Sequence, residues 1–286
     1  MFRNVILVAS ICLAACLLVG ARADAAPTEV EGAAGGGLTP WAIEAPDSPQ
    51  LSYWYVSTQD VLLQAAGVNG TVLKRLELSF GDQWLAYPNA GNALGLSEHL
   101  AQSVIGAKFA LVESNPAKSV PAIAIGVQVK NVSGPIVDTL KADHAISSTS
   151  GIDYYLAVTE VTKIAGTTVV ADATLRATRA NQFGLLGFGG GANGHNSYSF
   201  EPEFSLGAYV TPQVVFGGEY RFAPNNISSS VYGIKEQSKF DIFTSFIPNK
   251  RYALTAAYLN LGQVGPVLPQ NTANQQGFYL QVQSTY

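Results

Sequence analysis

The chain has 286 residues, 48% of them hydrophobic and only 13% charged, at a mean hydropathy of +0.18. A soluble domain usually carries about a quarter charged residues, so the balance points away from an ordinary soluble surface. The net charge of −4 comes without a basic cluster, which excludes a nucleic-acid partner that needs its phosphates neutralised. Twenty-eight glycines, 13 Phe and 13 Tyr favour strands and turns over helices.

Residues 1–25 read as a secretory signal. Arg3 supplies a positive start, Val5 to Gly20 is apolar, and Ala21-Arg22-Ala23 and Ala23-Asp24-Ala25 offer small-x-small cleavage sites. An uncleaved anchor fits less well, because the apolar run is short and the cleavage sites follow at once. Leu13-Ala14-Ala15-Cys16 also resembles a lipobox, but apolar residues follow Cys16 where a polar tether would begin. Cleavage after Ala25 takes the 16 basic and 20 acidic residues to 14 and 19, net −5, and removes both cysteines, Cys12 and Cys16. The remaining chain has no disulfide and no thiolate metal site. It also has no apolar run near the ~20 residues of a transmembrane helix. Entry into a membrane would therefore require a closed barrel, whose strand edges are all hydrogen-bonded.

Residues 26–50 are rich in Gly and Pro. E-G-A-A-G-G-G-L-T-P-W-A at 31–42 resembles the opening signature of an uncharacterised proteobacterial family of outer-membrane-barrel-like proteins, known only as a domain of unknown function. The resemblance continues in A-T-L-R-A-T-R-A-N-Q-F-G-L-L-G-F-G-G at 173–190, in Phe246-Ile247-Pro248-Asn249-Lys250 and in the final strand. It covers most of the chain after the signal. The resemblance implies an envelope barrel; it brings no known activity and no catalytic residues. The chain departs from the family pattern after Ile43, where Pro46 and Pro49 argue against a central strand. This segment is either a short first strand near 38–44 or a plug inside the barrel.

From residue 51 to 286 the sequence reads as barrel. Strands are expected at 51–59, 72–84, 103–112, 120–130, 152–162, 167–179, 198–210, 214–222, 239–247, 252–261 and 277–286. A strand near 38–44 would bring these eleven to twelve, an even number that closes an antiparallel transmembrane β-barrel (range 10–14 strands). The last, G-F-Y-L-Q-V-Q-S-T-Y, alternates apolar and polar side chains over a length that crosses a bilayer at a tilt. Such a closing strand is also the expected handle for the barrel-assembly machinery. Short connections (Thr211-Pro212-Gln213, 248–251, 113–119) alternate with long polar loops (131–151, 184–197, 223–238, 262–276), as in outer-membrane barrels.

Alternation assigns faces. Glu77, Lys108, Asp172, Arg176, Glu201, Glu203, Glu219, Arg221 and Asp241 share the polar sides of their strands and are candidates to face the lumen. A charge facing lipid at mid-bilayer would cost a few kcal/mol. The aromatics Phe216, Tyr220, Phe222, Phe278 and Tyr286 are candidates to face outer-membrane lipid. Both signs occur in the inward set, which fits a polar pore or a plugged interior; at twelve strands the plugged interior is favoured.

No catalytic residue, metal site or cofactor is indicated. His99, His144 and His195 lack metal-ligand spacing. His195-Asn196-Ser197 is the only nucleophile-base cluster, and sequence neighbours rarely assemble a triad. Gly187 to Asn193 lacks the lysine of a phosphate loop and reads as a flexible loop. The expectation is a non-enzymatic outer-membrane β-barrel of a Gram-negative envelope, a passive channel for small solutes. The alternatives are an outer-membrane hydrolase acting on lipid through His195 and Ser197, and a secreted soluble β-protein that binds a ligand. The oligomeric state is left open.

Overall fold

The computed structural model describes residues 27–87, 99–229, 235–264 and 274–286. The expected signal peptide and Cys16 lie outside the described residues. Twelve antiparallel strands close on themselves, in the spatial order β1-β14-β13-β12-β11-β10-β8-β7-β5-β4-β3-β2. They are β1 Gln50–Thr58, β2 Leu62–Val72, β3 Leu76–Ala86, β4 His99–Val112, β5 Ala122–Ser133, β7 Ser150–Ile164, β8 Thr167–Thr178, β10 Ser199–Thr211, β11 Val214–Arg221, β12 Lys239–Asn249, β13 Tyr252–Asn260 and β14 Gln276–Thr285. Closure runs from Gln50 opposite Thr285 to Thr58 opposite Gly277, so no strand edge is left open to lipid. Among the described residues no helix is long and apolar enough to cross a membrane.

The fold class, an antiparallel barrel of twelve strands, stands as the sequence indicates, but two of its elements need correction. Residues 38–44 are not a barrel strand. The twelfth strand is β2, and the expected strand at 72–84 runs across a real turn at 73–75. Its inward residues Ala65 and Gly67 are small, and Gln64 faces outward, so alternation is weak. Asn69-Gly70 also imitates a turn. The true turn places Leu73 and Lys74 at positive φ, a conformation that neither residue type advertises.

Connections at one end of the barrel are short: 73–75, 113–121, 165–166, 212–213 and 250–251. Those at the other end are long, apart from 59–61. One long loop carries helix α1, Pro135–Ala142, and strand β6, Ile146–Ser148. The glycine-rich stretch expected to be a flexible loop instead supplies β9, Phe188–Gly190, which pairs with β6. Phe188 is fully buried, and the two loops together cap the long-loop end.

Alternation puts large apolar side chains outside. Phe216 (52% exposed), Tyr220, Phe222, Phe278 (49%) and Tyr286 are all exposed on the outer wall, with Leu206, Leu254, Leu280 and Val282. A water-soluble barrel has no reason to expose such a belt.

Candidate functional site: the filled barrel interior

Residues 27–49 lie inside the barrel. Here the chain folds on itself through backbone bonds such as Val30 N–H to Gly37 O (3.1 Å), Gly36 N–H to Thr39 O (2.8 Å) and Trp41 N–H to Ala34 O (3.1 Å). Glycine makes the fit possible. Gly32 has φ +105°, and a Cβ there would lie 2.9 Å from Phe80 O; a Cβ on Gly81 of β3 would lie 2.6 Å from Glu31 O. Plug backbone and wall backbone touch at this pair, where no side chain fits.

The remaining backbone groups of the plug need partners, because burial forbids water from supplying them. The wall supplies them with charge. Lys108 Nζ donates to the carbonyls of Ala34 (3.1 Å), Trp41 (3.0 Å) and Ile43 (2.9 Å). It also pairs with Glu77 at 2.8 Å. Glu77 in turn accepts the amides of Ala34 (2.9 Å) and Ala45 (2.7 Å). Glu219 accepts Leu38 N–H and Thr39 Oγ1–H, each at 2.7 Å. Asp172 holds Thr159, whose hydroxyl accepts Ala42 N–H (2.7 Å). Asp241 stands opposite Glu219 across the strand pair and accepts Tyr279 O–H at 3.0 Å.

A second cluster joins plug to wall through ions. Arg176 grips Glu203, with Nε at 2.5 Å from Oε1 and Nη2 at 3.3 Å from Oε2. It also approaches Glu29 (3.7 Å), Glu31 (3.8 Å) and Asp153 (3.6 Å). Lys130 pairs with Glu31 and, at 2.7 Å, with Asp153. Arg221 reaches Glu31 and Glu203, each at 3.1 Å, and Leu38 O at 2.9 Å. Three cations thus face four carboxyl groups. A proton on one carboxyl balances the cluster, and Glu29 is the group placed to hold it. Burial first, and the neighbouring Glu31 second, push Glu29 up to about 8, against the pull of Arg176 and Arg221; Glu203 adds to the rise. Burial also acts to raise Glu31, but Arg221, Lys130 and Arg176 outweigh it and hold that carboxyl below its ordinary range.

The signs give a pH dependence. Docked Glu29 keeps a proton that it would release at ordinary carboxylate pKa if undocked. Its contribution to docking is therefore complete below about 4.5 and is lost as pH rises to about 8. Glu31 works oppositely, but its loss falls in strong acid. Docking of residues 27–49 should weaken by up to about tenfold per pH unit across that window. Hydrogen exchange of the plug amides at pH 5.5 and 8.5 checks this; equal protection at both would contradict it.

The cap binds two of these cations, Arg221 and Lys130, and a further one, Lys239, from the long-loop end. The Phe183 ring lies 4.2 Å from the Arg221 guanidinium and 4.9 Å from Lys239 Nζ, a favourable cation–π arrangement. Phe183 O accepts Gln102 Nε2 (3.3 Å) and Lys130 Nζ (3.4 Å). Lys239 pairs with Glu236 at 2.8 Å, and Glu236 accepts Gln182 N–H at 2.8 Å.

Eight of the nine sequence-derived inward candidates are buried and face this interior: Glu77, Lys108, Asp172, Arg176, Glu203, Glu219, Arg221 and Asp241. Glu201 is half-buried and joins none of the ion pairs found among the described residues. Sequence reasoning missed Glu29, Glu31, Lys130, Asp153 and Lys239. Glu29 and Glu31 carried a usable signal, since residues two apart in an extended chain point the same way. His195 does not assemble with Ser197. Its Nδ1 lies 3.4 Å from Asn226 Oδ1, and its amide donates to Asn226 O.

Solved structures of similar fold are outer-membrane barrels. The NanC porin matches at a TM-score of 0.51 and 8% identity, over 84% of this chain and 99% of its own. The KdgM porin, solved in complex with disordered oligogalacturonate, matches at 0.50 and 10%, over 83% and 99%. An outer-membrane channel from Pseudomonas putida F1 gives 0.47 and 11%, over 93% and 98%. At these identities the likeness to the two porins is one of fold. No protein of curated function matches the chain in sequence. The family model described as protein of unknown function (DUF3034) matches residues 25–283, and the chain belongs to that family.

Proposed function

We propose that the protein is a plugged outer-membrane β-barrel of a Gram-negative bacterium, a passive conduit held shut by its own N-terminal segment. The observation that carries this reading is the bonding of residues 27–49 to Lys108, Glu77, Arg221 and Glu219 of the wall. A purely structural barrel could fill its interior with apolar side chains. Here the interior is held by ion pairs and backbone contacts to one separable segment. The short-turn end would face the periplasm and the capped end the outside. The chain would reach the membrane after loss of residues 1–25, with β14 presented to the barrel-assembly machinery.

Planar-bilayer recordings test this. The full protein should stay closed or open rarely, and the protein lacking residues 27–43 should give sustained openings. Identical traces would remove the plug from the account. A protein extracted from membranes by carbonate would remove the membrane assignment itself.

A further inference from the structure

The interior has two unlike halves. The wall charges described above stand on β3–β12. The adjacent strands β13, β14, β1 and β2 contain no Asp, Glu, Lys or Arg. Their large inward side chains toward the cap are Trp54, Val56, Leu63, Leu259 and Tyr279, whereas Gln50, Gln281 and Gln283 point inward nearer the short-turn end. Two narrow cavities remain beside the plug. The one nearer the cap, about 50 Å³, is bordered by Val56, Leu63, Leu85, Leu259 and Trp54. The one nearer the short-turn end, about 40 Å³, lies at the seam of the two halves, bordered by Val215 of β11, Phe243, Ser245 and Ile247 of β12, Thr255 of β13 and Gln281 of β14. Gly37 and Tyr279 border both. The cavities are therefore stacked along the barrel and divided by the Tyr279 phenol, which lies over Gly37. A Cβ on Gly37 would come within 2.5 Å of the Tyr279 hydroxyl. An unpaired donor also borders the cavity near the cap. Trp54 is fully buried, and its indole N–H has no partner.

We infer that the uncharged side near the cap and its seam with β11 and β12 form the path for a small aromatic hydrocarbon, with Tyr279 as the gate between the two chambers. The inference rests on the plugged-conduit reading and names its solute class. An ion or a sugar would find a mostly apolar wall near the cap, with only Gln83, Gln182 and the Tyr279 phenol as polar neighbours, and leaving water there would cost it hydrogen bonds. An aromatic ring loses little by entering, and its face accepts the orphan Trp54 N–H. Neither chamber alone holds such a ring, since about 150 Å³ is the size that admits benzene. With the phenol swung aside the two chambers join. The hydroxyl that must let go is bound to Asp241, on the edge of the charged half, so the gate is tied to the side that holds the plug.

Bromobenzene, an apolar heavy-atom quencher, tests this in the full chain. Protein retaining only Trp54 (Trp41→Phe, Trp84→Phe) reports the path, and protein retaining only Trp84, on the outer wall, reports quencher dissolved in lipid. Tyr279→Ala should raise bromobenzene quenching of Trp54 at least threefold relative to Trp84, with iodide quenching unchanged. Tyr279→Phe, which keeps the ring and loses the bond to Asp241, should give a smaller rise and covers the case in which the alanine variant fails to fold. No rise in either folded variant, or an equal rise with iodide, would overturn the inference. Sustained openings without residues 27–43, together with that negative result, would leave the plugged conduit standing and remove only its solute class.

Discussion

Replacing Arg176 with methionine should cost about 3–5 kcal/mol, the usual result of removing one partner from a buried ion cluster. The guanidinium makes two bonds to Glu203 and a third, at 2.6 Å, to Gln128 Oε1. It is 1% exposed, so no water replaces it. Its loss leaves four carboxyl groups against two cations, Lys130 and Arg221. Methionine keeps most of the volume, which separates the electrostatic cost from a cavity. Arg176→Lys should fall between, because an ammonium cannot bridge both Glu203 oxygens. Urea unfolding in detergent, followed by the gel-mobility shift of folded barrels, measures the difference. A midpoint equal to the parent's would mean that the cluster does not hold the interior together.

Lys108→Met should release the plug with less harm to the wall. Lys108 contributes one strand position to the barrel, yet its ammonium meets three plug carbonyls and Glu77. Removing it strands the carbonyls and leaves Glu77 charged among the amides of Ala34 and Ala45. The expected penalty is again about 3–5 kcal/mol, but it falls on docking. Ala42 is fully buried, against Ala122, Ala124, Tyr155 and Ala157 of the wall. A chain without residues 1–25 has no cysteine, so Ala42→Cys gives a single reporter. A water-soluble maleimide should label it at least tenfold faster in the Lys108→Met background while the strands stay folded. Equal labelling would show that Lys108 is not an anchor.

The sequence made the wall legible where large outward residues alternate with polar inward ones. β8, β10, β11 and β14 follow that pattern, so period two was enough to assign their faces. β2 escaped because its inward residues are small where the plug backbone lies against it, so packing erased the signal. The charged candidates were legible by the same alternation, but their partners were not. Arg221 meets Glu31 across 190 positions of chain, a contact created by barrel closure and by the fold of the plug. Pro46 and Pro49 did argue against a central strand there, while leaving a short first strand near 38–44 or a plug open. Composition alone could not show that 187–193 is ordered. Its order comes from the pairing of Phe188 and Gly190 with β6, a partner about forty residues earlier.

The barrel sorts lipid to the outside of its wall and chain to the inside, and three tryptophans sample that sorting directly. Trp41 is on the plug, Trp54 faces the interior and Trp84 faces outward on β3. Single-tryptophan proteins in bilayers of acyl-chain-brominated lipid should show strong quenching of Trp84 alone, with Trp41 and Trp54 reached neither by the bromines nor by aqueous iodide. Quenching of Trp54 by the brominated chains, or of Trp41 by iodide as freely as a solvated indole, would contradict it.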